Sequence, residues 1–155
     1  MEPIQFIRDQ DQLLAIIVRA NFSKDGIHFF TPNELSQQLA YMKHPVGKVI
    51  APHVHNPVVR EVQYTQETLF LRSGKLRVDF YSEEKKYLRS EVLEAGDVIL
   101  LICGGHGFEV LEEVQMFEVK QGPYAGEADK TRFEPAKLKR SSNKSSNNFE
   151  LAAEL

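Results

Sequence analysis

The sequence predicts an all-β sandwich or barrel made of a single domain. Its 155 residues are the usual size of one domain. From Ile27 onward, short runs of β-forming residues recur between turn signals. The turn signals lie at residues 24–26, 31–33, 44–45, 73–74, 82–86 and 95–97. This spacing of short strands and turns is typical of an all-β fold.

The individual elements are predicted with different clarity along the chain. Residues 12–20 fit either a short helix or a buried strand, and residues 34–42 favour an edge strand over a helical turn. Leu76, Val78 and Phe80 alternate with polar or amphipathic neighbours, which predicts a strand with one buried face. Phe117 and Val119, which follow Gln115, alternate with Glu118 and Lys120 in the same way. Residues 98–103 form a continuous apolar run that predicts a fully buried strand.

These elements suggest three parts of the chain. Residues 27–135 form the expected β-barrel, and residues 1–26 form an N-terminal segment that packs on the barrel or extends it. Beyond Pro135 the composition becomes Lys, Arg, Ser and Asn with little to bury, so residues 136–155 are expected to be a disordered, flexible tail. Their composition also fits a segment added for expression.

Composition narrows the classes of partner. The formal net charge is -3, which provides no basic field for nucleic acid. The longest apolar run, residues 98–103, is too short to cross a bilayer, so no membrane partner is expected. The only cysteine, Cys103, cannot form an internal disulfide, and no N-terminal pattern resembles a secretory signal. We therefore expect a cytoplasmic protein whose partner is a small molecule.

His53 and His55 are the first candidates for chemistry. They are separated by one residue, so on a strand both imidazoles leave the same face and converge. The alternative is a pair of surface histidines near a turn, because Pro52 and Pro57 bracket them. Imidazole is the commonest metal ligand in proteins, which makes a metal site the more informative hypothesis.

Glu67 and His106 are the second pair of candidates. Glu67 shares strand parity with Leu69 and Leu71, so its carboxylate is expected on an apolar inward face, where it needs a partner. His106 follows two glycines after the buried run, where the chain can bend and present an imidazole at the mouth of a barrel. Three imidazoles and one carboxylate suit a divalent transition metal with room for water or substrate.

These residues resemble the two motifs of the cupin family. Gly47, five residues and His53-Val54-His55 match the opening of the first motif, and Glu67, six residues and Gly74 match its close. In the second motif, Gly96-Asp97 and Gly104 fit, and His106 stands one place earlier than the histidine of the family. The resemblance covers roughly residues 47–110. It implies an antiparallel jelly-roll barrel, also called a double-stranded β-helix, whose metal ligands are His53, His55, Glu67 and His106. The metal would be Fe, Mn, Ni, Cu or Zn.

The sequence departs from the cupin pattern in three places. Residues 56–66 separate His55 from Glu67 where the family has three or four residues, so Glu61 or Gln63 is an alternative fourth ligand. Glu67 is preferred because its distance to Gly74 is retained. Ile102 stands in place of the proline of the second motif, and Val110 in place of its asparagine.

Three functions remain open from the sequence. The first is a metal-dependent enzyme of the dioxygenase, isomerase or epimerase type that acts on a small polar metabolite. Sugar-related compounds are among the substrates that fit this hypothesis. The second is a non-catalytic module that binds or senses a small ligand. The third is a metal-free sugar-nucleotide isomerase in which His53 or His55 acts as base. A homodimer is expected in each case, because an open sheet leaves edge strands to be covered.

Overall fold

The structure, a computed structural model, describes residues 2–135 as an all-β protein. Its strands are β1 (Ile4–Asp9), β2 (Gln12–Val18), β3 (Gly26–Phe29), β4 (Ala40–Lys43), β5 (Glu67–Tyr81), β6 (Tyr87–Glu94), β7 (Val98–Leu101) and β8 (Gly105–Lys120), followed by a 3-10 helix at Gly126–Asp129. The predicted all-β class is confirmed. Within residues 2–135, no helix has the length and apolar character that a bilayer crossing requires. The expected tail, residues 136–155, lies outside the described part of the chain.

Six strands form one curled antiparallel sheet that makes a half-barrel. The strand order is β1-β2-β7-β5-β6. β8 also pairs with β5 but is not part of this linear order. The first part of β5 pairs with β7 on one side and β8 on the other, whereas its last part pairs with β6 and β8. β3 and β4 form a separate two-stranded sheet. The long strands β5 and β8 therefore belong to both halves of the curl.

The curl is concentrated at a corner near Gly74. The pairing of β5 with β8 shifts register between Leu71 and Leu76, as it does at a β-bulge. Gly74 has a φ of +85° and packs directly against the backbone of Glu113. Residues 73–74 were predicted to end a strand in a turn, which is wrong: β5 continues through them and only bends.

The core fills the space between the two halves of the bent sheet. Leu69 and Leu71 come from the start of β5, and Leu76, Val78 and Phe80 from its end, and all five are buried. The buried residues packed with them are Ile7, Leu14, Ala15, Ile17, Leu93, Ile99 and Leu101. The predicted alternation in residues 76–80 is confirmed.

The N-terminal strands resolve the ambiguity of residues 12–20 in favour of strand. β2 pairs with β1 and β7 at its two edges, and each of its faces packs in a buried cluster. Leu14 and Ile17 belong to the core described above, whereas Ile16 and Val18 belong to a second buried cluster with Leu100 and Ile102. The run from Leu14 to Val18 is therefore buried without alternation. The predicted edge strand at residues 34–42 shrinks to Ala40–Lys43, because residues 32–38 form turns and bends. Phe117 and Val119 are exposed, so the prediction that their face is buried is wrong.

A buried ion network joins β2 to the β6–β7 corner. The guanidinium of Arg19 lies 2.9 Å from Asp97 and 3.2 Å from Glu91, and Arg19 also donates to the carbonyl oxygen of Val92. Asp97 accepts hydrogen bonds from the backbone N–H groups of Ala20 and Glu94. These contacts pair each buried charge, which otherwise would destabilise the fold.

Candidate functional site

The curl brings Glu67 and His106 together although they lie at opposite ends of paired strands. Glu67 begins β5 and pairs in register with Lys120, whereas His106 near the start of β8 pairs with Phe80 at the end of β5. Because the sheet bends back on itself, the Nε2 atom of His106 lies 3.3 Å from Oε2 of Glu67. Lys120 Nζ lies 3.8 Å from Oε1 of Glu67. One carboxylate, one imidazole and one ammonium group therefore meet at the mouth of the half-barrel.

Glu67 is the most buried of these three side chains. Its side chain is 13% exposed, and it shares the core-facing side of β5 with Leu69 and Leu71, as its parity predicted. The hydrogen bond from His106 lowers the pKa of Glu67; burial opposes this, while the charges of His106, Lys120 and Lys130 add to the lowering. The carboxylate is therefore ionised at neutral pH, the form in which it binds a cation.

His53 and His55 lie together, but not on a strand. Both are exposed in the irregular stretch of residues 44–66 between β4 and β5, and their ring centroids are 5.2 Å apart. His53 Nδ1 lies 3.0 Å from the carbonyl oxygen of Ala51. The tautomer that donates there leaves Nε2 unprotonated, which is the arrangement common in metal-binding histidines.

The four residues singled out as ligands form two separate pairs. Glu67 and His106 are in contact, and His53 and His55 are in contact, but across the described residues 2–135 no three His, Cys, Asp or Glu side chains gather as a metal-holding group. The structure thus brings the four predicted residues together only as two pairs, one half-buried and the other in an exposed segment.

The two alternative ligands lie in a different place from His106. Glu61 and Gln63 line a shallow cleft of about 320 Å³ together with Leu35 and Tyr64. Neither His106 nor Lys120 lines this cleft. Among the three candidates for a carboxylate or amide ligand, only Glu67 contacts one of the predicted histidines.

Cys103 belongs to the packing of the fold. It is half-buried and donates a hydrogen bond to the carbonyl oxygen of Leu13. It also packs against both the main core and the buried cluster that contains Ile16 and Leu100. Burial raises the pKa of its thiol, with a smaller contribution from the charge of Glu83. The thiol is therefore protonated near neutral pH and lacks the thiolate character of a metal ligand.

Lys120 is the residue that sequence reasoning missed. Local sequence shows it only as a polar residue at the end of an alternating strand. The signal that identifies it is its pairing with Glu67 across β5 and β8, a contact between residues far apart in the chain.

The mouth of the half-barrel continues as an open sheet edge. Phe108, Val110 and Met116 share the core-facing side of β8 with His106 and Lys120, because their register partners on β5 include the buried residues of that strand. All three are about half-exposed, since among residues 2–135 no strand other than β5 pairs with β8. An apolar wall therefore leads to the Glu67–His106 pair and is open to solvent.

Comparison with known proteins found no match to a family model, a curated protein or a solved structure. The assignment of a function therefore depends on the side chains at this mouth and on the segment that carries His53 and His55.

Proposed function

We propose that this chain is a metal-binding cupin that binds a divalent transition metal at the mouth of the half-barrel and acts there on a small polar metabolite. The observation that carries the proposal is the Glu67–His106 contact of 3.3 Å. An ionised carboxylate and an imidazole face each other at the polar end of an apolar wall. Glu67 and His106 would both hold a divalent ion bound at this position.

His53 and His55 would complete the ligand set if residues 44–62 moved onto the edge of β8 that no strand among residues 2–135 occupies. That segment carries seven exposed large apolar residues: Val46, Val49, Ile50, Val54, Val58, Val59 and Val62. β8 offers a 16-residue edge with exposed apolar side chains on both faces. Pairing along this edge would bury both apolar sets and would satisfy the backbone groups of β8 that pair with no other strand in the described part of the chain.

The charges of the two elements favour the same pairing. β8 contains Glu109, Glu112, Glu113 and Glu118, whereas the segment contains Lys48, Arg60 and three histidines with only one acid, Glu61. Adding strands at this edge gives each half of the curl one more antiparallel strand, the jelly-roll arrangement that the sequence resemblance implies. His53 and His55 would then lie on the strand next to His106.

The donor set fits a borderline transition metal. Three imidazoles and one carboxylate suit Fe, Mn, Ni, Cu or Zn and leave positions for a ligand. When bound, such a metal supplies Lewis-acid polarisation or activation of water or oxygen. Glu67 would hold the ion, the imidazoles would fix its geometry, and Phe108 and Val110 would exclude water from the bound metabolite. A metal held in this way, beside a wall that excludes water, would suit a dioxygenase, an isomerase or an epimerase. The substrates of such an enzyme include sugar-related metabolites.

A metal-free acid–base enzyme is the second candidate, and one contact favours it. Oε2 of Glu67 lies 3.3 Å from Nε2 of His106, and a carboxylate beside an imidazole is the usual support of a general base. In this candidate His106, rather than His53 or His55, is the base of the isomerase. A non-catalytic ligand-binding module would use the same mouth without turnover.

Elemental analysis of the purified protein tests the proposal directly. We expect near-stoichiometric metal in the parent and its loss in Glu67→Gln and in the His53→Ala, His55→Ala double variant. His44→Ala is the matched control, because it removes an exposed histidine from the same segment without touching the proposed ligands. A parent protein without metal after reconstitution would contradict the proposal and leave the metal-free candidate.

A cytoplasmic homodimer is part of the same proposal. The half-buried free thiol of Cys103 suits a reducing compartment. If the segment covers β8, β1 remains as an outer strand of the sheet at which two copies can pair. Analytical ultracentrifugation tests this: a single monomeric species at all concentrations would exclude the dimer.

A further inference from the structure

Residues 122–135, which we call the strap, follow β8 and return along the mouth of the half-barrel. The strap begins two residues beyond the end of β8 and contains the 3-10 helix Gly126–Asp129. All its residues are exposed except Gly126 and Phe133, which are half-buried. A segment with so little buried surface depends on a few contacts to stay in place, and it can open without unfolding the rest of the protein.

The middle of the strap is held beside Glu67. The hydroxyl of Thr65, two residues before Glu67 in the chain, donates a hydrogen bond of 2.8 Å to Oδ1 of Asp129. The hydrogen bond with His106 is the largest influence that lowers the pKa of Glu67, and the charge of Lys130 is a smaller one. Lys130 therefore also lies near this carboxylate.

The end of the strap is held beside His106. The ring of Phe133 packs edge-on against the ring of Tyr81, with the two centroids 5.2 Å apart. It also lies against Gly105, the residue before His106, because a Cβ atom added at Gly105 would be 3.0 Å from Cζ of Phe133. The Nζ atom of Lys85 lies 5.8 Å from the centre of the same ring, within the range of a cation–π contact. Phe133 thus anchors this end of the strap.

The two anchors make the strap pass close to the Glu67–His106 pair. Glu67 and His106 lie 3.3 Å from each other, so the anchor beside one of them is also near the other. Phe133 follows Asp129 by four residues, which span at most about 14 Å even when fully extended. Residues 129–133 therefore run past the pair, from the Glu67 side to the His106 side.

We propose that the strap is a gate over the mouth and that Phe133 keeps this gate closed. Release of the Phe133 ring frees the end of the strap and opens the Glu67–His106 pair to a small molecule. The inference rests on the proposed function only in treating this mouth as the place where a ligand binds, and it does not depend on a metal. An anchor made of one ring on an otherwise exposed segment is weak enough to open and close repeatedly.

The test compares Phe133→Ala with the parent protein by two measurements that need no metal. The first is mild digestion with trypsin, followed by mass spectrometry. The rate of cleavage after Lys130 reports how often the strap leaves its place. The second is the NMR relaxation that a neutral gadolinium chelate causes at the ring of His106, which reports how far solvent reaches the mouth. The exposed ring of His44 is the reference in the same sample.

In Phe133→Ala we expect cleavage after Lys130 to become about tenfold faster, because loss of the aromatic packing raises the population of the open strap. The relaxation at His106 is expected to approach that at His44. Phe133→Leu keeps an apolar anchor and is expected to stay closer to the parent in both measurements. Tyr124→Ala is the matched control: it removes an aromatic residue of the same strap that is 84% exposed, and it should change neither measurement.

Two results would overturn the inference. One is equal behaviour of Phe133→Ala and Tyr124→Ala. The other is faster cleavage of Phe133→Ala with unchanged relaxation at His106, which would place the strap away from the mouth. If Phe133→Ala fails to fold by circular dichroism, Thr65→Val replaces it with the same expectations, because it removes only the hydroxyl that holds Asp129. A protein that binds no metal would refute the proposed metal site and leave both measurements unaffected.

Discussion

The substitution Gly74→Ala tests whether the corner of β5 shapes the half-barrel. A Cβ atom at residue 74 would lie 2.0 Å from the carbonyl oxygen of Glu113, far inside van der Waals contact. The backbone also has a φ of +85°, which costs an L-residue roughly 1–2 kcal/mol. Overlap with a rigid backbone adds about 1–3 kcal/mol, as overpacking does elsewhere. Reduced freedom of the unfolded chain offsets about 0.4–1 kcal/mol.

The expected result is a loss of about 2–4 kcal/mol in the free energy of unfolding, measured by urea denaturation followed by circular dichroism. Gly47→Ala is a close control, because Gly47 has the same φ of +85° but no atom within 4 Å of the added Cβ. It carries the conformational cost without the overlap, so its loss is expected to be about 1 kcal/mol or less. Equal losses in the two variants would refute the role assigned to the corner.

Three further predictions concern contacts away from the mouth. Arg19→Met leaves the buried carboxylates of Glu91 and Asp97 without their partner and should cost about 3–5 kcal/mol in thermal or urea unfolding, whereas the exposed Lys43→Met should change nothing measurable. Burial opposes ionisation of Asp79, but hydrogen bonds from Arg77 and Ser90 outweigh it and hold its pKa below 3.8. The parent protein should therefore be more stable than Asp79→Asn at neutral pH, and this difference in stability should disappear as the pH falls below about 4. Thermal unfolding of both proteins across a pH series measures it. Cys103 should react with iodoacetamide at pH 8 at least about tenfold more slowly than a free thiol, and equal rates would contradict its burial.

Local patterns were sufficient where a strand has one covered face. Leu76, Val78 and Phe80 are buried as their alternation predicted, and Glu67 shares the face of Leu69 and Leu71. These predictions succeed because side chains alternate strictly along a strand, so a single face determines every second residue. The presence of Glu67 on such a face also predicted correctly that it has a partner.

Local patterns failed where distant pairing decides the structure. Ser73 and Gly74 have the composition of a hairpin turn, but β8 runs past them and pairs with both sides of the corner. A glycine with positive φ serves a turn and a bulge equally well, so only the partner strand distinguishes the two. For the same reason, Phe117 and Val119 could not be assigned to a face: β8 has apolar residues on both sides, and its register with β5 selects Met116 and Glu118 for the inner one.

The candidate site combines both situations. The rings of His53 and His55 lie 5.2 Å apart although their segment is irregular, so the strand geometry from which their convergence was predicted is not what brings them together. Their relation to Glu67 and His106 depends instead on whether residues 44–62 cover β8. In the described arrangement both apolar surfaces face water, which is unfavourable by roughly 25 cal/mol for each Å² that could be buried. Ordering the segment costs conformational entropy, and a metal bridging His53, His55, Glu67 and His106 would offset that cost with ligand bonds. Metal binding and closure of the segment should therefore be coupled, so that removal of the metal increases hydrogen exchange in residues 44–62 and along the edge of β8, while β2 and β7 remain protected.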